Sequence, residues 1–123
     1  MEINNQQTLA EVTRQFNRYQ QAIIDNDIPV MNELFWNSAL TIRYGTGENL
    51  YGHSEIAAYR GARDPRSVAR VIGKSTVTSY GRDAATTNIE FVRGNRKGRQ
   101  SQSWVRMPEG WRIVAAHVSY MDE

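Results

Sequence analysis

From residue 67 onward the chain reads as four strand-length stretches divided by turn signals: SVARVIGKSTVTSY, then GRD, AATTNIEFVR, then GNRKG, RQSQSWVRM, then PEG, and WRIVAAHVSY. No other feature limits the fold as much. Strands joined by turns this short pair with their sequence neighbours, so the four are expected to form an antiparallel meander. They are long for their number, and a long-stranded sheet twists and curls until one face is concave. An apolar layer has to cover that face, and only the first half of the chain can supply it.

The first half does so with helices. Leu9, Val12, Phe16, Tyr19 and Ile23 step by three and four residues, one face of an amphipathic helix over about residues 5 to 25. In DNDIPVMNELFW, Asp25 or Asn26 can stop that helix, Asp27 can cap the next, and Met31, Leu34 and Phe35 give the second helix a short apolar face. ALTIRY then alternates as a strand, GTGEN is its turn and LYG a short partner strand. A third helix is expected from Ser54 to about Arg63, with Ser54 as N-cap and Ile56 and Tyr59 turned inward. The expected class is therefore α+β: three N-terminal helices packed on a strongly curved antiparallel sheet of about six strands. With no linker, internal repeat or low-complexity stretch in 123 residues, a single domain spanning 1–123 is expected, long enough to bury roughly two-thirds of its unfolded surface.

Composition removes several chemistries. There is no cysteine, and the two histidines, His53 and His117, stand in no HExxH-type spacing, so neither thiol chemistry nor a metal site is expected. GTG is too short for a phosphate loop, no GxSxG elbow is present, and Lys74 and Lys97 are weak Schiff-base candidates. No cofactor is expected. The apolar runs are too short for a membrane span, and MEINNQQTLAEV is polar and acidic where an export signal is basic and then apolar, so the cytoplasm is the expected compartment.

Net charge is only +2, but the basic residues are mostly arginine and they cluster. RGARDPRSVAR holds Arg60, Arg63, Arg66 and Arg70; RGNRKGR holds Arg93, Arg96, Lys97 and Arg99. The second run reads as a solvated hairpin tip. Nucleic-acid binding is not expected, because no aromatic platform interleaves with these charges. The first run points to small anions, since the planar guanidinium binds carboxylates bidentately and keeps its charge when partly buried.

The order of helices before a curled sheet, with the closing strand GWRIVAAHVS, resembles the nuclear-transport-factor-2-like (NTF2-like, SnoaL-like) superfamily. NELFW, TIRYGTGENLYG and GRQSQSWVRMPEGWRIVAAHVS together resemble its AtzH-like branch, which includes the oxalurate-catabolism proteins associated with purine-ring and triazine-ring breakdown. That resemblance implies a cone-shaped pocket and a homodimer built through the convex face of the long strands. It also implies a cofactor-free hydrolase of nitrogen-ring catabolism. The reaction would be decarboxylating amide hydrolysis of a carboxylated urea such as 1,3-dicarboxyurea, or of an oxalurate-type compound. A non-catalytic binding or accessory subunit is the alternative, because fold does not settle function.

Within that frame, Arg43 shares a strand face with Thr41, opposite Leu40, Ile42 and Tyr44. On a flat sheet it would simply face water; on a concave face its charge needs nearby water or an anionic partner. The resemblance implies an essential arginine at this place in the IRYG motif. Tyr19 is either an ordinary core tyrosine or, given the resemblance, a phenol pointed at the same cavity. Tyr19 and Arg43 are then the expected catalytic pair. Arg60 and Arg63, three apart on one helix, are candidates for a second carboxylate. Trp36, Gln102, Trp104, His117 and Ser119 are further candidates for binding a small anionic, carboxylate-bearing substrate: Gln102 and Trp104 share one strand face, and His117 is expected to share another with Ile113, Ala115 and Ser119. Glu48 is either the acid partner of an arginine or a turn residue.

Overall fold

A computed structural model describes residues 1–65 and 69–121. Three helices and two short strands come first: α1 (Gln6–Asp25), α2 (Ile28–Leu34), β1 (Ile42–Tyr44), β2 (Asn49–Tyr51) and α3 (His53–Ala62). Four long strands follow, β3 (Val71–Tyr80), β4 (Ala84–Arg93), β5 (Arg96–Met107) and β6 (Gly110–Tyr120). The α+β class and the six-stranded count agree with the sequence reading. Arg66 and the expected strand start at Ser67 and Val68 lie outside the described residues.

Capping fixes where the first helices begin and end. The Asn5 side chain accepts from the Thr8 amide at 3.0 Å, filling one of the orphan donors of the first turn of α1. At the other end Asn26 turns left-handed, and its N–H reaches the Ala22 and Ile23 carbonyls. Asp27 then caps α2 by accepting from Val30 at 3.2 Å. The expected Ser54 cap of α3 is corrected. Gly52 holds that place with φ of +87° while its N–H bonds the Thr41 carbonyl at 2.7 Å, a backbone that a side chain would strain.

The sheet runs β2-β1-β6-β5-β4-β3. Its expected all-antiparallel character is corrected at one seam, where β1 lies parallel to β6, Arg43 opposite Ala116. These two strands are separated by most of the chain, so no tight turn dictates their direction. The turn before β5 is also shorter than GNRKG. Gly94, with φ of +62°, and Asn95 make a two-residue connection, so Arg96, Lys97 and Gly98 already belong to the strand.

Thr8, Val12, Phe16, Tyr19, Ala22 and Ile23 of α1 face the sheet. They meet Ala85, Ile89 and Phe91 of β4, Trp104 of β5, and Trp111, Ile113, Ala116 and Val118 of β6 in one core with Met31, Leu34, Phe35 and Ile56. Each large apolar side chain buried this way contributes about 1.5–3 kcal/mol. Unlike its neighbours, β5 lines the concave face with Gly98, Gln100 and Gln102 before it reaches Trp104. This polar stretch gives the interior hydrogen-bonding groups. Among the described residues no helix is long and apolar enough to cross a membrane.

Candidate active site

Arg43 sits in the middle of the three-residue strand β1, and alternation turns it to the concave side with Thr41, both buried. Its Nη1 donates to Glu48 Oε1 at 3.0 Å, and the guanidinium lies 5.3 Å from the centre of the Tyr59 ring. Glu48 comes from the turn between β1 and β2, where its other oxygen accepts from the Gly47 amide at 3.1 Å. Around this pair opens a cleft of about 40 Å³, lined by Arg43, Arg63 and Arg93 with Glu48, Tyr59 and Tyr120. Three guanidiniums thus face one carboxylate. The Nε donors of Arg63 and Arg93 are buried and, among the described residues, unpartnered. Buried guanidinium donors are expensive to leave unmade, which makes the cleft suited to an anion.

A second cluster centres on Tyr19. Arg60 donates to the Tyr19 hydroxyl at 3.3 Å and to the Asn32 side-chain oxygen at 2.9 Å, and its guanidinium stacks 4.3 Å over the Phe35 ring. Each partner comes from a different helix or its end: Tyr19 from α1, Asn32 from α2, Phe35 just beyond α2, and Arg60 from the last turn of α3. Arg70, just before β3, donates to the side-chain oxygens of Gln20 and Gln100 at 2.8 and 3.1 Å and lies over the Phe91 ring. No carboxylate among the described residues pairs with Arg60 or Arg70.

The electrostatics follow from that excess of buried cations. Burial works to raise the Tyr19 pKa, but the fields of Arg60, Arg43 and Arg70, with the Arg60 hydrogen bond, outweigh it and leave the phenol below its ordinary value. Burial lowers the pKa of Arg60 and Arg63, although Tyr19 pulls both the other way. It lowers Arg70 as well, to about 10. All remain guanidinium cations at neutral pH. The arrangement can therefore bind carboxylates, stabilise developing negative charge and exchange a proton through a phenol made more acidic.

The candidate residues divide in space. Arg43 and Arg63 line the cleft, whereas Tyr19 and Arg60 lie outside its lining and are joined to it through their fields. The phenol's direct partner is Arg60, not Arg43. Gln102 and Trp104 share the concave face as expected, but they are tied together in the wall: Trp104 Nε1 donates to the Thr87 hydroxyl, which donates to the Gln102 oxygen. Trp36 is half-buried, and its backbone bonds the Ile113 carbonyl.

His117 and Ser119 are placed otherwise than alternation suggests. The register of β5 against β6 shifts between Ser103 and Trp104, leaving Val114 as an extra residue on β6. This bulge flips the facing, so Ala116 and Val118 turn inward while His117 is exposed and packs edge-on to Tyr44 at 5.7 Å. His117 therefore does not share the face of Ile113.

Several site residues escaped the sequence reading. Arg93 belongs to the cleft, not to a solvated tip, and its signal was present in the alternation Ile89, Phe91, Arg93. Phe35 supplies the ring beneath Arg60, one position from the expected Trp36. Asn32 gave no signal, because its role depends on α3 docking beside α2. Among the described residues no group of three or more histidine, aspartate and glutamate side chains is arranged to hold a metal ion.

A family model described as AtzH-like matches residues 1–123. A crystal structure of a protein of unknown function from Pectobacterium atrosepticum is 50% identical with a TM-score of 0.94, covering 98% of this chain and 95% of that one. A cystatin-like fold protein from Burkholderia xenovorans is 40% identical, with a TM-score of 0.93 and coverage of 100% and 98%. An NTF2-like superfamily protein from Salmonella enterica is 27% identical, with a TM-score of 0.70 and coverage of 95% and 93%. No curated protein matches the chain.

Proposed function

The chain belongs to the AtzH-like family of the NTF2-like superfamily, and from that premise we propose that it is a small hydrolase of nitrogen-ring catabolism acting on a carboxylated urea or an oxalurate-type compound. The observation that carries this reading is the cleft in which Arg43, Arg63 and Arg93 converge beside a single carboxylate. A substrate bearing carboxylates supplies the negative charge those guanidiniums face.

In the proposed reaction Arg43 and Arg63 hold the carboxylates. On a carboxylated urea the bond between nitrogen and one carboxyl carbon breaks with its electron pair left on nitrogen, nitrogen takes a proton, and carbon dioxide leaves; on an oxalurate-type compound a water oxygen bonds to an amide carbon as that carbon's bond to nitrogen breaks, and the proton the water gives up goes to the leaving nitrogen. Tyr19, its pKa lowered by three arginines, is the proposed proton-transfer group. Developing charge on nitrogen and the urea oxygen is stabilised by the surrounding guanidiniums.

The test is to incubate the protein with 1,3-dicarboxyurea and with oxalurate, following release of carbon dioxide and ammonia, and to repeat it with Tyr19→Phe and Arg43→Ala. Turnover that both substitutions abolish supports the reading. Absence of turnover on either compound, or full activity in both variants, overturns it.

One observation favours a second reading, a non-catalytic carboxylate-binding or accessory subunit. Tyr19 does not line the cleft, and an anion-binding protein needs only the arginines. Tight binding without turnover decides for it. We further propose a homodimer through the outer face of the long strands, where Val71, Val92 and Met121 are exposed apolar residues. A monomer by light scattering overturns that.

A further inference from the structure

We propose that Glu48 selects among anions, admitting a ligand that carries an N–H donor beside its carboxylate and disfavouring one that presents acceptors alone. The inference rests on the cleft being the substrate's anion site. It deepens that reading by saying what must stand next to the carboxylate.

Glu48 is the one carboxylate lining a cleft that three guanidiniums share. Arg43, Arg63 and Arg93 present N–H groups, and the Nε atoms of Arg63 and Arg93 are buried without a partner among the described residues. The Glu48 carboxylate is fixed from both sides, Oε1 by Arg43 at 3.0 Å and Oε2 by the Gly47 amide at 3.1 Å. The chain keeps a glycine beneath it, for a Cβ at Gly45 would overlap the Glu48 carboxylate and crowd Arg43 Nη1. The group is therefore held in place, with its side chain 22% exposed, and is more than a turn residue that happens to reach an arginine.

Each carboxylate oxygen can accept more than one hydrogen bond, so both oxygens of Glu48 retain capacity after their bonds within the protein are made. A cleft of about 40 Å³ brings any ligand held by Arg63 and Arg93 close to that capacity. An amide or urea N–H adjacent to the ligand's carboxylate satisfies it. A second carboxylate in the same position meets like charge and leaves acceptors facing each other, the arrangement by which sites reject a wrong ligand. The ligand class is an N-acyl or N-carboxy compound, with its nitrogen protonated and next to the acid group.

Calorimetric titration with three small probes separates the possibilities. Oxamate carries an amide beside its carboxylate, pyruvate is its equally charged isostere with a methyl in place of the amino group, and oxalate replaces the amide with a second carboxylate. The wild type is expected to bind oxamate about tenfold more tightly than pyruvate. In Glu48→Gln the ratio of oxamate to oxalate affinity is expected to shift about tenfold toward oxalate. Pyruvate binding within about twofold of oxamate, or an unchanged ratio in Glu48→Gln, overturns the proposal. Should Glu48→Gln fail to fold, the comparison of oxamate with pyruvate on wild type decides alone. Failure of all three probes to bind overturns both this proposal and the anion-site reading. The predicted preferences without any turnover support this proposal and sink the catalytic one.

Discussion

The Arg60 guanidinium donates to the Tyr19 hydroxyl at 3.3 Å, and the two side chains are only 1% and 3% exposed. A buried cation without a carboxylate partner is costly, and here a phenol, an amide oxygen and an aromatic face share the task of stabilising it. The consequence is reciprocal. The same field that makes Arg60 expensive makes Tyr19 more acidic.

Tyr19→Phe is expected to reduce release of carbon dioxide from a carboxylated urea by about 100-fold or more, the usual contribution of a positioned proton-transfer group. Folding should survive, because the ring and its packing on Phe35 remain. The comparison of kcat with the thermal midpoint checks this: a loss of activity matched by a collapse in stability would make Tyr19 structural.

The near-ultraviolet absorbance of tyrosinate, taken as the difference between wild type and Tyr19→Phe, should show Tyr19 ionising below the ordinary phenol value. Its folded pKa lies under the unfolded one, so the stability it contributes is full above the unfolded value of about 10 and is lost as pH falls through the folded value. Arg60→Gln, which removes the hydrogen bond and the strongest of the lowering fields, should move the ionisation upward. A Tyr19 signal at or above the value of free phenol contradicts this account.

Arg63→Met should be more stable than wild type and a poorer anion binder. Burial and the nearby Arg43 and Arg60 all disfavour the Arg63 charge, and its hydrogen bond is to the Met31 sulfur at 3.6 Å. Removing it is expected to raise the thermal midpoint by about 2–5 °C. Oxamate should raise the midpoint of the wild type, and should do so less in the variant. Equal midpoints with equal anion response would show that Arg63 is solvated.

Gly98→Ala should destabilise the fold by about 1–3 kcal/mol, measured by urea unfolding. Gly98 pairs with Phe91 across β4 and β5, and a Cβ there would overlap the Phe91 ring. That ring also lies under Arg70 at 4.8 Å, so the substitution should disturb the arginine interior as well as the sheet. A neutral effect would mean that Phe91 has room to move.

Much of the fold was legible because its signals are local. The stripe through Val12, Phe16, Tyr19 and Ile23 fixed α1, Asp27 announced α2, and glycine turns separated the long strands. Arg43 was legible by alternation, since one step along a strand reverses the face. The same rule failed at His117, where the bulge at Val114 inserts a residue that no local signal in HVSY reveals. For Arg93 the rule holds, through Ile89 and Phe91, but its position on β4 was hidden by reading the glycines and charges beyond it as one long solvated tip.

By itself the sequence determined the elements, their order, the inward face of α1 and the supply of arginines, because periodicity and turn chemistry act over a few residues. Tertiary structure alone decided which of those arginines share a space. Arg43, Arg63 and Arg93 come from β1, the end of α3 and the end of β4, and they meet because the sheet curls and α3 packs against α2 and β2. The partner of Tyr19 was decided in the same way. Hydrogen bonds and Coulomb fields act through distance in space, and the separation of 41 positions between Tyr19 and Arg60 carries no local signal of the 3.3 Å that joins them.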